Sequence, residues 1–170
     1  MIQWIDDSMN QSVMDQSEIQ RILPHRYPFL LVDRVTDFVP AQRITGVKTF
    51  TVNEPYAPGH FNGEPIVPCS ILLEMTTQLG AILVLERPGM AGKIAVILQI
   101  PSAQMYKVAE PGDALRVEAE VLKLRANFGE LRGSVYRGEE LIAEGRIRFA
   151  IADAGDILAG QAAKPCSAEF

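Results

Sequence analysis

A nearly continuous apolar run dominates this chain: Ile71, Leu72 and Leu73, then Met75 and Leu79, then Ala81, Ile82, Leu83, Val84 and Leu85. Pro68 suits a first helical position, where a missing N–H costs nothing, and Pro88-Gly89 closes the run. A helix that is apolar on almost every face must be buried on almost every face. Polar or charged residues interrupt every apolar stretch before it reaches membrane-spanning length, so the expectation is no membrane insertion. The helix therefore needs a protein layer that encloses it. Within the run, Glu74, Thr76, Thr77 and Gln78 form one polar patch. Glu74 and Gln78 are four apart and share a face. A face turned to solvent or to a neighbouring subunit explains such a patch as readily as a site does.

The enclosing layer is predicted to be strands. Phe29–Val35 reads as one. Arg43–Val52 reads as another, with Ile44, Val47 and Phe50 set against Thr45, Lys48 and Thr49. Further strands are predicted over 94–106, 113–127, 130–138 and 141–151. Glu110-Pro111-Gly112-Asp113, Asn127-Phe128-Gly129 and Arg137-Gly138-Glu139 mark the turns between them. Such short links make the late strands antiparallel neighbours. A short helix is predicted over Ser17–Leu23 with Ser17 as its N-cap. Pro24 and Pro28 force an extended passage through His25-Arg26-Tyr27. The fold class is α+β: an antiparallel sheet wrapped around one long buried helix, the hotdog arrangement. A single domain is expected over 15–152, between flexible ends at 1–14 and 153–170.

Charge and cysteine usage narrow the function classes. The net charge is −5 and no basic stripe is present, which argues against nucleic acid. The first ten residues hold Asp6 and Asp7 and no basic residue, unlike a secretory signal. Cys69 and Cys166, at a helix start and in a polar tail, make no disulfide framework, so a cytoplasmic setting is expected. Two histidines without paired cysteines do not suggest a metal site. Gly89-Met90-Ala91-Gly92-Lys93 is a poor phosphate loop, because its first glycine is misplaced and Ile94 replaces the hydroxyl residue. His25 reads as a structural hydrogen-bonding residue, and Asp33-Arg34 as a local ion pair.

The chemistry concentrates at His60. It sits in Gly59-His60-Phe61-Asn62-Gly63-Glu64-Pro65-Ile66-Val67-Pro68, a Pro/Gly-rich loop that leads into the apolar helix. An imidazole in a tight loop beside a carboxylate on a greasy helix is a candidate acid–base pair, His60 with Glu74.

These residues resemble those of a known family. Ile22-Leu23-Pro24-His25-Arg26-Tyr27-Pro28-Phe29-Leu30-Leu31-Val32-Asp33-Arg34, the segment Gly59-His60-Phe61 to Pro65-Ile66-Val67-Pro68, Leu73-Glu74 with Gln78, and Val108–Asp113 are similar to the (3R)-3-hydroxyacyl-[acyl carrier protein] dehydratases of type II fatty acid synthesis, the FabZ-like group. The resemblance runs from about residue 18 to 151. The related dehydratase-isomerases usually carry Asp fourteen positions after the histidine, so Glu74 favours the plain dehydratase. The resemblance implies that His60 takes a proton from carbon 2 of a 3-hydroxyacyl thioester. Glu74 then protonates the departing 3-hydroxyl. Backbone N–H groups at Cys69 and Ser70 would hold the thioester oxygen. Phe61, Pro68, Leu73, Thr77 and Gln78 would line the acyl tunnel. No metal or organic cofactor is implied. The implied partners are an acyl carrier protein or CoA thioester and further copies of this chain, as a homodimer or a trimer of dimers. In the family the histidine and glutamate meet across the dimer.

This sequence departs from that pattern at four places. Cys69 stands for Gly, Asn62 for Pro, Met75-Thr76-Thr77 for small residues, and Gln104-Met105-Tyr106-Lys107 for a more basic stretch. A hotdog thioesterase and a non-catalytic acyl-binding paralogue remain as alternative readings.

Overall fold

The computed structural model describes residues 13–60 and 65–159. The apolar run forms α3 (Cys69–Leu85). Leu72, Met75, Leu79, Ile82 and Leu83 are fully buried along it. Each such side chain contributes at most about 1.5–3 kcal/mol relative to exposure.

Six strands enclose the helix: β1 (Arg34–Val39), β2 (Arg43–Thr49), β3 (Lys93–Met105), β4 (Ala114–Arg125), β5 (Phe128–Arg137) and β6 (Glu140–Asp153). All pairings are antiparallel, in the spatial order β1-β2-β4-β5-β6-β3. Ile44, Leu115, Val117, Leu131, Val135, Ile147 and Phe149 bury their side chains against α3 in one core. Helix and sheet approach closely at two glycines. A Cβ on Gly133 would collide with Thr76, and one on Gly145 with Leu73. This is the expected α+β hotdog plan.

Several local expectations are corrected. The first helix, α1, is Gln16–Ile22, and its N-cap is Asp15 rather than Ser17. The Asp15 carboxylate accepts the N–H groups of Ser17 and Glu18, while Glu18 accepts the Asp15 N–H. That reciprocal box satisfies more orphan donors than a Ser17 cap would. Pro68 is the cap residue of α3, one position earlier than expected.

The predicted strand at Phe29–Val35 begins only at Arg34. Over 29–31 a side chain replaces the sheet as hydrogen-bond partner: Gln78 takes the Leu31 N–H. Strand β3 does not neighbour β4 but pairs with β6 at the opposite edge. The link after it is no hairpin, since Gly112 donates to Phe50 O and Val67 donates to Ala109 O, tying the link to two other segments. The tight turn between β5 and β6 does form, with Gly138 at φ +58°.

Two short helices were not foreseen: α2 (Ala57–His60) inside the Pro/Gly-rich loop, and α4 (Ala154–Leu158) where a flexible tail was expected. Val13 and Met14 bond to Val35, which ties residues 13–14 to β1. Among the described residues, no helix is long and apolar enough to cross a membrane.

Candidate active site

His60 closes α2, whose first turn starts with the Ala57 N–H donating to Glu54 O at 2.9 Å. Its ring Nδ1 lies 3.0 Å from Ile66 O. A carbonyl only accepts, so Nδ1 carries the proton and donates. In the neutral ring Nε2 then keeps its lone pair, which is the state a general base needs.

The N-terminus of α3 follows directly. Val67 N–H is fixed on Ala109 O, and Pro68 O accepts from Ile71 and Leu72. No side chain caps this end. Among the described residues the N–H groups of Cys69 and Ser70 have no partner, and they stand at the positive end of the helix.

Glu74 lies on the second turn and is half-buried. Its Oε1 accepts from Gln78 Nε2 at 3.0 Å. Gln78 is buried with 1 % exposure. Its Nε2 also donates to Phe29 O at 2.7 Å, and its Oε1 accepts the Leu31 N–H at 2.8 Å. The donor at Leu31 and the acceptor at Phe29 fix which end of the amide faces Glu74. The carboxylate is therefore aimed by an amide that is itself aimed by the backbone of 29–31.

The remaining expected site residues separate. Cys69 and Leu73 line one small hollow with Leu72, Thr76, Ala103 and Glu144, of about 10 Å³. Thr77 lines a second of about 10 Å³, between α3 and β3, β5 and β6. Each is near the lower limit for a single water, so neither is an acyl tunnel within one protomer. Gln78 lies in neither, and Ser70 is exposed. Pro68, half-buried, lines neither hollow. Phe61 and Asn62 lie outside the described residues, as does Cys166. A cleft of about 640 Å³ opens elsewhere, at the Leu85 end of α3 beside α1, and holds none of these residues.

Two smaller expectations change. His25 Nδ1 is buried with no hydrogen-bond partner among the described residues, so the expected structural bond is absent there. The ring instead packs on Phe29, centroids 5.7 Å apart. Burial holds its pKa below the ordinary 6.5, while the charge of Glu74 pulls the other way. Asp33 pairs with Lys48 at 3.3 Å rather than with Arg34. The sequence pattern sets Lys48 on the outward side, yet it shares strand parity with Ile44 and Gly46, both buried. That parity was the available signal for a buried lysine.

An antiparallel sheet around one long helix defines a hotdog protein, and its similarities to known proteins place it in the dehydratase class. A family model described as a FabA-like domain matches residues 23–146. The chain is 47 % identical over 139 residues to the 3-hydroxyacyl-[acyl-carrier-protein] dehydratase FabZ of Desulforamulus reducens, covering 82 % of this chain and 98 % of that one. It is 43 % identical to the FabZ of Pelotomaculum thermopropionicum, covering 82 % and 99 %. Among solved structures, the dehydratase heterocomplex ApeI:P of Xenorhabdus doucetiae superposes with a TM-score of 0.71 at 16 % identity, over 83 % of this chain and 95 % of that one; this likeness is one of fold. The chain belongs to the FabA-like hotdog family, within its FabZ dehydratase group.

Proposed function

We propose that this chain dehydrates a (3R)-3-hydroxyacyl thioester, carried on acyl carrier protein, to a trans-2-enoyl thioester in fatty acid or related lipid biosynthesis. The observation that carries the reading is the paired orientation of His60 by Ile66 O and of Glu74 by Gln78, in a chain 47 % identical to a FabZ dehydratase.

His60 Nε2 removes a proton from carbon 2, which the thioester carbonyl acidifies. The N–H groups of Cys69 and Ser70 receive the charge that grows on the thioester oxygen, aided by the helix dipole. Glu74, in its acid form, gives its proton to the 3-hydroxyl as the C–O bond breaks. One water leaves, the C2–C3 double bond forms, and a proton passes from His60 back to Glu74 to reset the pair.

The working unit is a homodimer or a trimer of dimers in the cytoplasm. Three features support assembly. Strand β3 is a 13-residue edge with one neighbour. Its Ile97 and Ile100 are 42 % and 44 % exposed. An edge of that length invites a second copy. The two hollows that Cys69, Leu73 and Thr77 line are about 10 Å³ each, too small for an acyl tail, which supports a tunnel and a His60–Glu74 pair completed between copies.

The test mixes His60→Ala subunits with Glu74→Gln subunits. Each alone should lose about 10²–10⁴-fold in turnover. After subunit exchange, part of the activity should return through dimers with one intact site. Near-normal activity of either variant refutes the pair, and free thiol as product would indicate a thioesterase.

A further inference from the structure

We infer that Lys48 is a positioning residue for His60, acting through Glu54; this rests on the reading of His60 as the general base. Lys48 lies on the inward side of β2 and is only 8 % exposed. Its ammonium meets Asp33 Oδ1 at 3.3 Å and Glu54 Oε1 at 3.1 Å. It also sits 5.5 Å from the centroid of the Phe50 ring. Two carboxylates and a ring face thus occupy its three N–H directions.

Each partner is anchored. Asp33 Oδ2 accepts the Thr49 N–H at 2.8 Å, and Asp33 N–H donates to Val47 O at 2.9 Å. Phe50 is 1 % exposed and exchanges backbone bonds with Gly112 and Asp113. Glu54 is the third member, and its N–H donates to Thr51 O at 3.3 Å. It belongs to the segment between β2 and α2, and its carbonyl accepts the Ala57 N–H that starts α2. Tyr56 packs edge-on against Phe50 at 6.2 Å, with its hydroxyl buried and without a hydrogen-bond partner among the described residues. The ion pair to Lys48 therefore fixes the residue from which the His60 helix is launched.

A cluster kept for stability alone would be an odd choice, because buried ion pairs contribute little over apolar replacements. Their attested use is to fix one arrangement among several. Here the arrangement fixed is the start of the four-residue helix that ends in His60.

The experiment compares Lys48→Met, Glu54→Gln and the double variant by kcat, KM, Tm and the imidazole NMR signals. The chain has two histidines, so His60 is readily separated from His25. Lys48→Met should lower kcat by about 10–100-fold with little change in KM, since a base displaced by about 1 Å costs on that order. Its Tm should fall because two carboxylates lose their cation. The double variant removes one of those charges, so its Tm should recover in part while its kcat stays low. The His60 ring signals should shift or broaden in every variant, and those of His25 should not. A purely structural role predicts that kcat and Tm return together in the double variant, and that result overturns the inference. So do unchanged His60 signals in a folded variant. If Lys48→Met does not fold, Glu54→Gln and the double variant carry the same comparison. Wild-type protein without dehydratase activity would refute the functional reading, while the His60 spectra would still decide the role of Lys48.

Discussion

Replacing Gln78 by Leu isolates the amide that connects α3 to the extended segment before β1. The substitution keeps roughly the volume of the side chain and removes three hydrogen bonds. The Leu31 N–H suffers most, because Leu31 is 1 % exposed and no water can replace the lost acceptor. A buried donor left without a partner costs about 1–3 kcal/mol. The Phe29 carbonyl is on a residue 49 % exposed, so water can satisfy it at little cost. Loss of the bond to Glu74 adds about 1 kcal/mol, the ordinary net value, because that acceptor stays half-solvated. The sum is about 2–4 kcal/mol, or a Tm lower by roughly 5–15 °C for a chain of this size. Turnover should fall by about tenfold or more, because the carboxylate then samples rotamers that do not face the substrate. Gln78→Glu makes an informative companion. It keeps an acceptor for Leu31 but sets a second carboxyl beside Glu74, and two such groups cannot both ionise freely. Thermal unfolding by circular dichroism and a continuous enoyl-thioester assay measure both quantities. If Gln78→Leu unfolds within 2 °C of the parent and turns over normally, the amide does not organise Glu74 and the argument fails.

Two further outcomes are expected. His25 is held below its ordinary 6.5 chiefly by burial, with the charge of Glu74 opposing and Arg26 assisting. A base whose folded pKa is depressed contributes stability that is complete above its unfolded pKa and is lost as pH falls through the folded one. Tm should therefore decline as pH drops below about 6.5, and His25→Gln should remove part of that decline; identical profiles refute it. Cys69→Gly keeps the backbone N–H at the start of α3 and empties one wall of a small hollow. Activity should be preserved or raised, with longer or bulkier acyl groups accepted. Abolished activity, with loss of a covalent acyl adduct by mass spectrometry, would instead mark Cys69 as a nucleophile.

The apolar run from Ile71 to Leu85 carried most of the fold, because a helix with no polar face leaves few ways to enclose it. The hairpins of β4, β5 and β6 were equally legible, since each turn is written in Gly, Pro or Asn over a few residues. The position of β3 was not. Its neighbour lies across the whole domain, and no local signal distinguishes a hairpin link from a crossover of similar length. The short helix α2 was hidden by Pro58 and Gly59, which locally argue for a loop. At the site, His60 and Glu74 stood out by residue type and spacing. Gln78 was visible only as a polar residue on the same face as Glu74. Its role depends on the backbone of 29–31, forty-seven positions from Leu31, and was invisible until the chain closed. Lys48 and Glu54 were legible only in part, because strand parity marks a buried lysine without naming its partners.

Thr76 against Gly133 and Leu73 against Gly145 bring α3 so close to two adjacent strands that neither position has room for a Cβ. A larger residue at either glycine would push the helix outward and carry with it Glu74, which lies between Leu73 and Thr76 on the same turn. The spacing between helix and sheet thus sets where that carboxylate stands as well as how the core packs.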